Sequence, residues 1–178
     1  VEEWGERRGA SIVHRLYQQT SGLIILSKND AAKTALEEAL RMRQIDKRYQ
    51  CLVAGVPEKP HGVLRAYLSK DSELGRVSVS EKPGRFAKEL VTEYDVMEAK
   101  GDYARLLITL HTGRTHQIRA HMAYIGHPLL GDDKYGSREA NRSHKARRLM
   151  LCSTGLRFQT QGALSYLYGR AFGIQPPF

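Results

Sequence analysis

The stretch Tyr103-Ala104-Arg105-Leu106-Leu107-Ile108-Thr109-Leu110-His111-Thr112-Gly113-Arg114-Thr115-His116-Gln117-Ile118-Arg119 decides the fold. Its first half is dense in aliphatic and β-branched residues and reads as a strand. Its second half turns at Gly113 and changes to helical spacing, with Ile118, Met122 and Ile125 along one side. The Thr115 hydroxyl is placed to cap that helix. Gly126-His127-Pro128 stops it, because proline cannot continue a helix and glycine accepts a left-handed exit. Upstream, Leu90–Ala99 is a second β-like run, and Lys100-Gly101-Asp102 between the two supports a tight turn. An antiparallel hairpin feeding a helix is therefore the centre from which the rest is placed.

Toward the N-terminus, Gly22-Leu23-Ile24-Ile25-Leu26-Ser27 suits a buried strand. From Ala31 the pattern turns helical through Ala35, Leu36, Ala39 and Leu40, with Asn29 or Asp30 as the cap and Glu37–Arg41 as a supporting i, i+4 pair. That helix fades near Gln44, and Lys47–Ala54 reads as a strand closed by Gly55 and Pro57. Short β-like pieces between Pro60 and Gly84 indicate a hairpin or a surface excursion rather than core. Toward the C-terminus, Asp132–Lys145 is a polar, basic loop with a short helix, Arg148–Phe158 is a strand, and the tail carries a weak strand at most. This order predicts an α+β fold on a mixed, mostly antiparallel β-sheet with flanking helices and loops. The length of 178 residues fits a single domain, 1–178.

The chain carries 28 Lys and Arg against 19 acidic residues, a net charge of +9, and a field of that sign favours a polyanion. Arg138, Arg142, Lys145, Arg147 and Arg148 crowd one stretch, and Arg41, Arg43, Lys47 and Arg48 another. The two cysteines, Cys51 and Cys152, sit in apolar runs with no CxxC spacing, as buried thiols in a reducing cytoplasm do. No apolar run approaches the roughly 20 residues of a membrane helix, and no signal-peptide pattern opens the chain. The expected protein is soluble, cytoplasmic and monomeric, with neither membrane nor metal as a partner.

The run Gly113–His121 joins a strand end to a helix start, where backbone amides and the helix dipole favour an anion. Two arginines and two histidines add donors for phosphate. Arg114 and Arg119 lie five apart and cannot share a face of a helix capped by Thr115, so one can hold a nucleic-acid backbone while the other points into a cleft. A capped amphipathic helix with solvated charges explains the same spacing equally well. The run Gly126-His127-Pro128-Leu129-Leu130-Gly131-Asp132-Asp133-Lys134-Tyr135-Gly136 is an ordered loop of the kind that carries sites, or simply a tight connection.

Four patterns occur in order: His14-Arg15-Leu16-x-x-x-Thr20-Ser21-Gly22, Lys47-x-Tyr49 before a Leu-Val-x-Gly strand, Gly113-Arg114-Thr115-His116-Gln117-Ile118-Arg119, and Gly126-His127-Pro128-Leu129-Leu130-Gly131-Asp132. In this the chain resembles the large-subunit and transfer RNA pseudouridine synthases of the RluA family. The resemblance implies a pseudouridine synthase fold and isomerisation of uridine in structured RNA, rRNA or tRNA, without metal or organic cofactor. In the family an aspartate after His-Arg-Leu acts as nucleophile or base. A tyrosine of Lys-x-Tyr stacks on the flipped base, and an arginine of the Gly-Arg-Thr-His-Gln-Ile-Arg motif pairs with the aspartate. By resemblance these positions are Tyr17, Tyr49 and Arg119. Arg15, Arg114, His116, Arg138, Arg142, Lys145 and Arg147 are the expected RNA contacts; His116 and His121 read as core or phosphate contacts.

This chain departs from the pattern at Tyr17, where the aspartate is expected. A phenol of ordinary pKa near 10 is neutral at pH 7 and does not replace a carboxylate. Asp30 and Asp46 lie at the two ends of a helix and offer no substitute. The change leaves Arg119 without its family partner. Members of the family also enter His-Arg-Leu through one or two strands with a Lys-Pro dipeptide, often after a small RNA-binding domain; neither precedes His14 here. Three readings follow: a synthase domain, a catalytically inactive RNA-binding paralogue such as a ribosome-assembly factor, or an active enzyme in which Tyr17 is an engineered change or a sequence error.

Overall fold

A computed structural model describes residues 9–16, 19–71 and 75–178. Tyr17 lies outside the described residues. The described residues form ten strands: β1 (Ser11–Ile12), β2 (Ser21–Gly22), β3 (Leu26–Ser27), β4 (Ile45–Ala54), β5 (His61–Asp71), β6 (Arg76–Ser80), β7 (Lys88–Lys100), β8 (Tyr103–Leu110), β9 (Leu151–Phe158) and β10 (Ala171–Gly173). Among these residues three helices accompany them: α1 (Asp30–Arg41), α2 (Gln117–Tyr124) and α3 (Arg138–Ser143), with a 3-10 turn at Gly162–Leu167. One sheet is ordered β10-β9-β4-β8-β7-β5-β6, with β2 added parallel to β9 and all other pairs antiparallel. This is the expected α+β class. No described helix is long and apolar enough to cross a membrane.

The β7–β8 hairpin forms as read, with Lys100 opposite Tyr103. Both helices of useful length lie on one face. Leu36 and Ala39 of α1 close a cluster with Ile45, Leu156 and Phe158, while Ile118 and Met122 of α2 pack on Cys51, Val53, Leu106 and Ile108. Both cysteines are buried and free.

A bulge makes this common face possible. Lys47 faces Leu156 and Arg48 faces Gly155, yet Tyr49 faces Ser153, so Thr154 is an extra residue in β9. A one-residue shift swaps the faces of a strand. Leu151 and Ser153 before the shift, and Leu156 and Phe158 after it, thereby meet the same side of β4.

Several local expectations are corrected. Gly22–Ser27 is not one strand: Leu23 leaves the sheet after its N–H reaches Ser153 O, and only Leu26–Ser27 resumes pairing, with β1. Arg41 pairs with Glu38 one turn back, not with Glu37. Asn29 is the cap of α1, its side chain accepting from Ala32 N at 2.8 Å. Thr115 does not cap α2, which starts two residues later after His116 in the left-handed region (φ 53°). The buried Gln117 carboxamide at the helix start instead fastens the preceding turn, accepting from Arg114 N and the Thr112 hydroxyl and donating to Val91 O, and no side chain caps the helix. The Pro60–Gly84 region is a hairpin, but it also builds core, since Ala66, Leu68 and Val77 bury against Leu90 and Ala120.

His14 and His121 are held neutral. Burial lowers each to a pKa of about 4; Ile25 N donates to His14 Nε2, and His121 Nδ1 lies 2.9 Å from the Thr92 hydroxyl. The unfolded chain binds protons at these imidazoles below about pH 6.5, and the folded chain does not until about pH 4. Stability from these groups is full above pH 6.5 and is lost as pH falls toward 4. The melting midpoint is therefore expected to decline across this window; a midpoint constant from pH 7 to 4.5 would contradict it, and His121→Asn should shallow the decline.

A candidate RNA-binding and active site

On the inner face of β4, Ile45 belongs to the α1 cluster and Cys51 and Val53 to the α2 cluster. Between them Lys47 and Tyr49 line an open cavity of about 140 Å³. Three distant segments meet there: Arg15, Leu16 and Thr20; Lys47 and Tyr49; and Gly113, Arg114 and His116–Arg119, with Leu110 and Leu151 completing the wall. Arg15 is exposed at the rim, and Lys47, Tyr49, Arg114 and His116 are half-buried. Among the described residues the Thr20 and Ser153 hydroxyl oxygens are buried without a protein hydrogen-bond partner.

The family partner expected for Arg119, at position 17, lies outside the described residues, and a different carboxylate meets the guanidinium. It is 6% exposed and grips Asp132 with two hydrogen bonds, Nε to Oδ2 and an Nη to Oδ1, each 2.7 Å. A second contact reaches Asp133 at 3.2 Å. Burial alone raises the pKa of Asp132, but the Arg119 guanidinium and the Lys134 and Tyr135 amides outweigh it and hold the carboxyl below its ordinary value. In sequence Asp132 belongs to a loop of the kind that carries sites or simply connects, and a spacing of 13 residues across a turn gives no sign of the pair. Glycine fixes that loop: at Gly131 (φ +73°) a Cβ would collide with the Arg148 carbonyl.

Tyr135 ties the loop to the cavity. Its hydroxyl accepts from Val77 N at 3.0 Å and lies 2.9 Å from His116 Nδ1, and the Arg119 guanidinium carbon stands 5.4 Å from its ring centre. Burial, then the charges of Arg119 and Lys134, lower the His116 pKa against the pull of Asp132. His121 is core and takes no part in the cavity. Arg138, Arg142, Lys145 and Arg147 are exposed on and just after α3 and do not line the cavity. Among the described residues, His61, Glu93 and Asp95 bring possible metal-ligand atoms within 4.8 Å, but His61 is taken by Asp95 and Glu93 by His111.

A basic cavity with an aromatic face and an ion-paired arginine, set in an antiparallel sheet, defines an α+β domain suited to a polyanion with stackable rings. The chain belongs to the family described as RNA pseudouridylate synthase, whose pattern matches residues 4–124. It is 42% identical over 129 residues, 72% of this chain, to ribosomal large subunit pseudouridine synthase D of Vibrio cholerae. It is 40% identical over 126 residues, 70% of this chain, to an uncharacterized RNA pseudouridine synthase of Chlorobaculum parvum. Those matches span 39% and 38% of the two relatives. The solved structure titled human RNA pseudouridylate synthase domain containing 1 superposes with a TM-score of 0.82 at 27% identity, covering 96% of this chain and 70% of that one.

Proposed function

We propose that this domain binds structured RNA with a uridine turned out of its stack onto Tyr49, and that it is built to isomerise such uridines to pseudouridine. The observation that carries this reading is the convergence of the His-Arg-Leu, Lys-x-Tyr and Gly-Arg-Thr-His-Gln-Ile-Arg segments on one cavity. A base must leave the duplex to be rearranged, and an aromatic face compensates for lost stacking. Arg15, Arg114 and His116 meet the backbone near the cavity, and Arg138, Arg142, Lys145 and Arg147 extend the positive surface. Because relatives are named for the large ribosomal subunit, ribosomal RNA is the first substrate to test, transfer RNA the second. The domain works as a monomer in the cytoplasm, without metal or cofactor.

Tyr17 favours a second reading in which the chain as written grips RNA and turns it over slowly or not at all. The phenol supplies no carboxylate, and Arg119 holds Asp132 in a separate pair. Pseudouridine mapping in ribosomal and transfer RNA with and without the gene separates the two: a site that disappears establishes the enzyme, whereas RNA binding with no lost site establishes the binder. Stacking on an aromatic ring contributes about 1–3 kcal/mol per base. Tyr49→Leu is therefore expected to weaken RNA binding by roughly 10–100-fold, and Tyr49→Phe to leave it nearly unchanged. Equal loss of melting temperature and RNA affinity in Tyr49→Phe would make the role structural.

A further inference from the structure

We propose that Lys47 is a phosphate subsite: its ammonium takes a phosphate oxygen of the nucleotide whose base stacks on Tyr49. The proposal rests on the RNA-binding reading above and adds the part of the nucleotide that this residue holds. Lys47 and Tyr49 are alternate residues of β4, so their side chains share a face, about 7 Å apart along the strand. That separation is comparable to the span from a nucleobase to its own phosphate. Both line the same cavity.

Lys47 is half-buried, and among the described residues no carboxylate lies within ion-pair distance of it. Asp132 and Asp133, the acids tied to the cavity wall through Arg119, both contact that arginine. Desolvation lowers the Lys47 pKa and no neighbouring anion raises it. His14, whose imidazole feels the Lys47 charge, stays neutral and offers no compensation. A partly buried cation without a counter-ion is costly, and a bound anion offsets that cost. Uracil is neutral, so the phosphate is the part of the nucleotide that supplies the missing charge. An ammonium suits it as a compact point charge.

The test compares uridine 5′-monophosphate, uridine and inorganic phosphate, titrated into the full 178-residue chain and followed by amide chemical shifts. A charge-assisted hydrogen bond is worth about 1.5–3 kcal/mol, so the monophosphate is expected to bind roughly tenfold tighter than uridine or more. The preference should vanish in Lys47→Gln and persist in Lys47→Arg, with Tyr49 and Ile118 amides shifting in both. An unchanged amide spectrum elsewhere shows that Lys47→Gln is folded; if it is not, Lys47→Arg with a retained preference and Lys47→Met without one decide the matter. Equal binding of uridine and its monophosphate, no binding of either, or a preference that survives in Lys47→Gln would overturn the subsite. A salt-sensitive affinity for a hairpin RNA reads the underlying function separately: its presence with any of those results removes only the subsite, and its absence removes the RNA-binding reading.

Discussion

Tyr17→Asp is expected to raise pseudouridine formation on ribosomal RNA by roughly 10²–10⁴-fold, the range a positioned acid–base group contributes. In sequence, position 17 falls between Arg15–Leu16 and Thr20, and those three residues line the cavity together with Tyr49. Among the described residues, the carboxylates of Asp30, Asp46, Asp132 and Asp133 do not stand in. Asp46 is exposed and bonded to the Gln159 amide at 2.8 Å. Asp30 opens α1. Asp132 is buried in its ion pair, and Asp133 is divided between Arg119 and the Gln19 amide. Turnover is read as pseudouridine per RNA over time at saturating RNA, so that binding is held constant. Equal rates for the two proteins would sink the prediction, and a fast unreverted protein would show that the tyrosine itself serves.

The second large effect concerns stability. Removing one partner of a buried ion pair costs about 3–5 kcal/mol, because the remaining charge is stranded. Asp132→Asn is therefore expected to lower the melting midpoint by roughly 10 °C, at about 2–4 °C per kcal/mol for a chain of this size. Part of the loss arises outside the pair, since the same carboxylate accepts from Lys134 N and Tyr135 N at 2.8 Å each. The paired change Asp132→Leu with Arg119→Met should recover much of it, as apolar replacement of a buried pair often does. The pH sign follows from the depressed Asp132 pKa. The carboxylate's contribution is complete above the unfolded value near 4 and is lost as pH falls through the folded value. An Asp132→Asn protein melting within 2 °C of the parent, a change far below the roughly 10 °C expected, would show that the pair adds nothing.

The hairpin from Lys88 to Leu110 was legible because Lys-Gly-Asp separates two β-branched runs, and local turn chemistry needs no tertiary information. The convergence of Arg15, Tyr49, Arg114 and Arg119 was legible through the ordered motifs, not through any periodicity. Other features depend on distant partners that spacing does not encode. Thr115 looked like the helix cap, but the helix starts two residues later, after His116 in the left-handed region, with Gln117 tied back to the Thr112 and Val91 groups. Leu23, Ile24 and Ile25 have strand composition, yet Ile25 turns into the α1 cluster. The bulge at Thr154 is visible only once β9 is laid against β4. Asp132 was quoted within a loop motif, but its attachment to Arg119 required the loop's path over α2.

That attachment has a consequence for how such a domain can change over generations. The cation at the back of the cavity is neutralised by its own downstream loop, so its charge is met without a carboxylate from position 17. On the proposed reading, a change at that position silences chemistry and leaves the grip on RNA in place. Loss of catalysis and loss of the protein are then separate events, and a lineage has time to find a use for the grip alone.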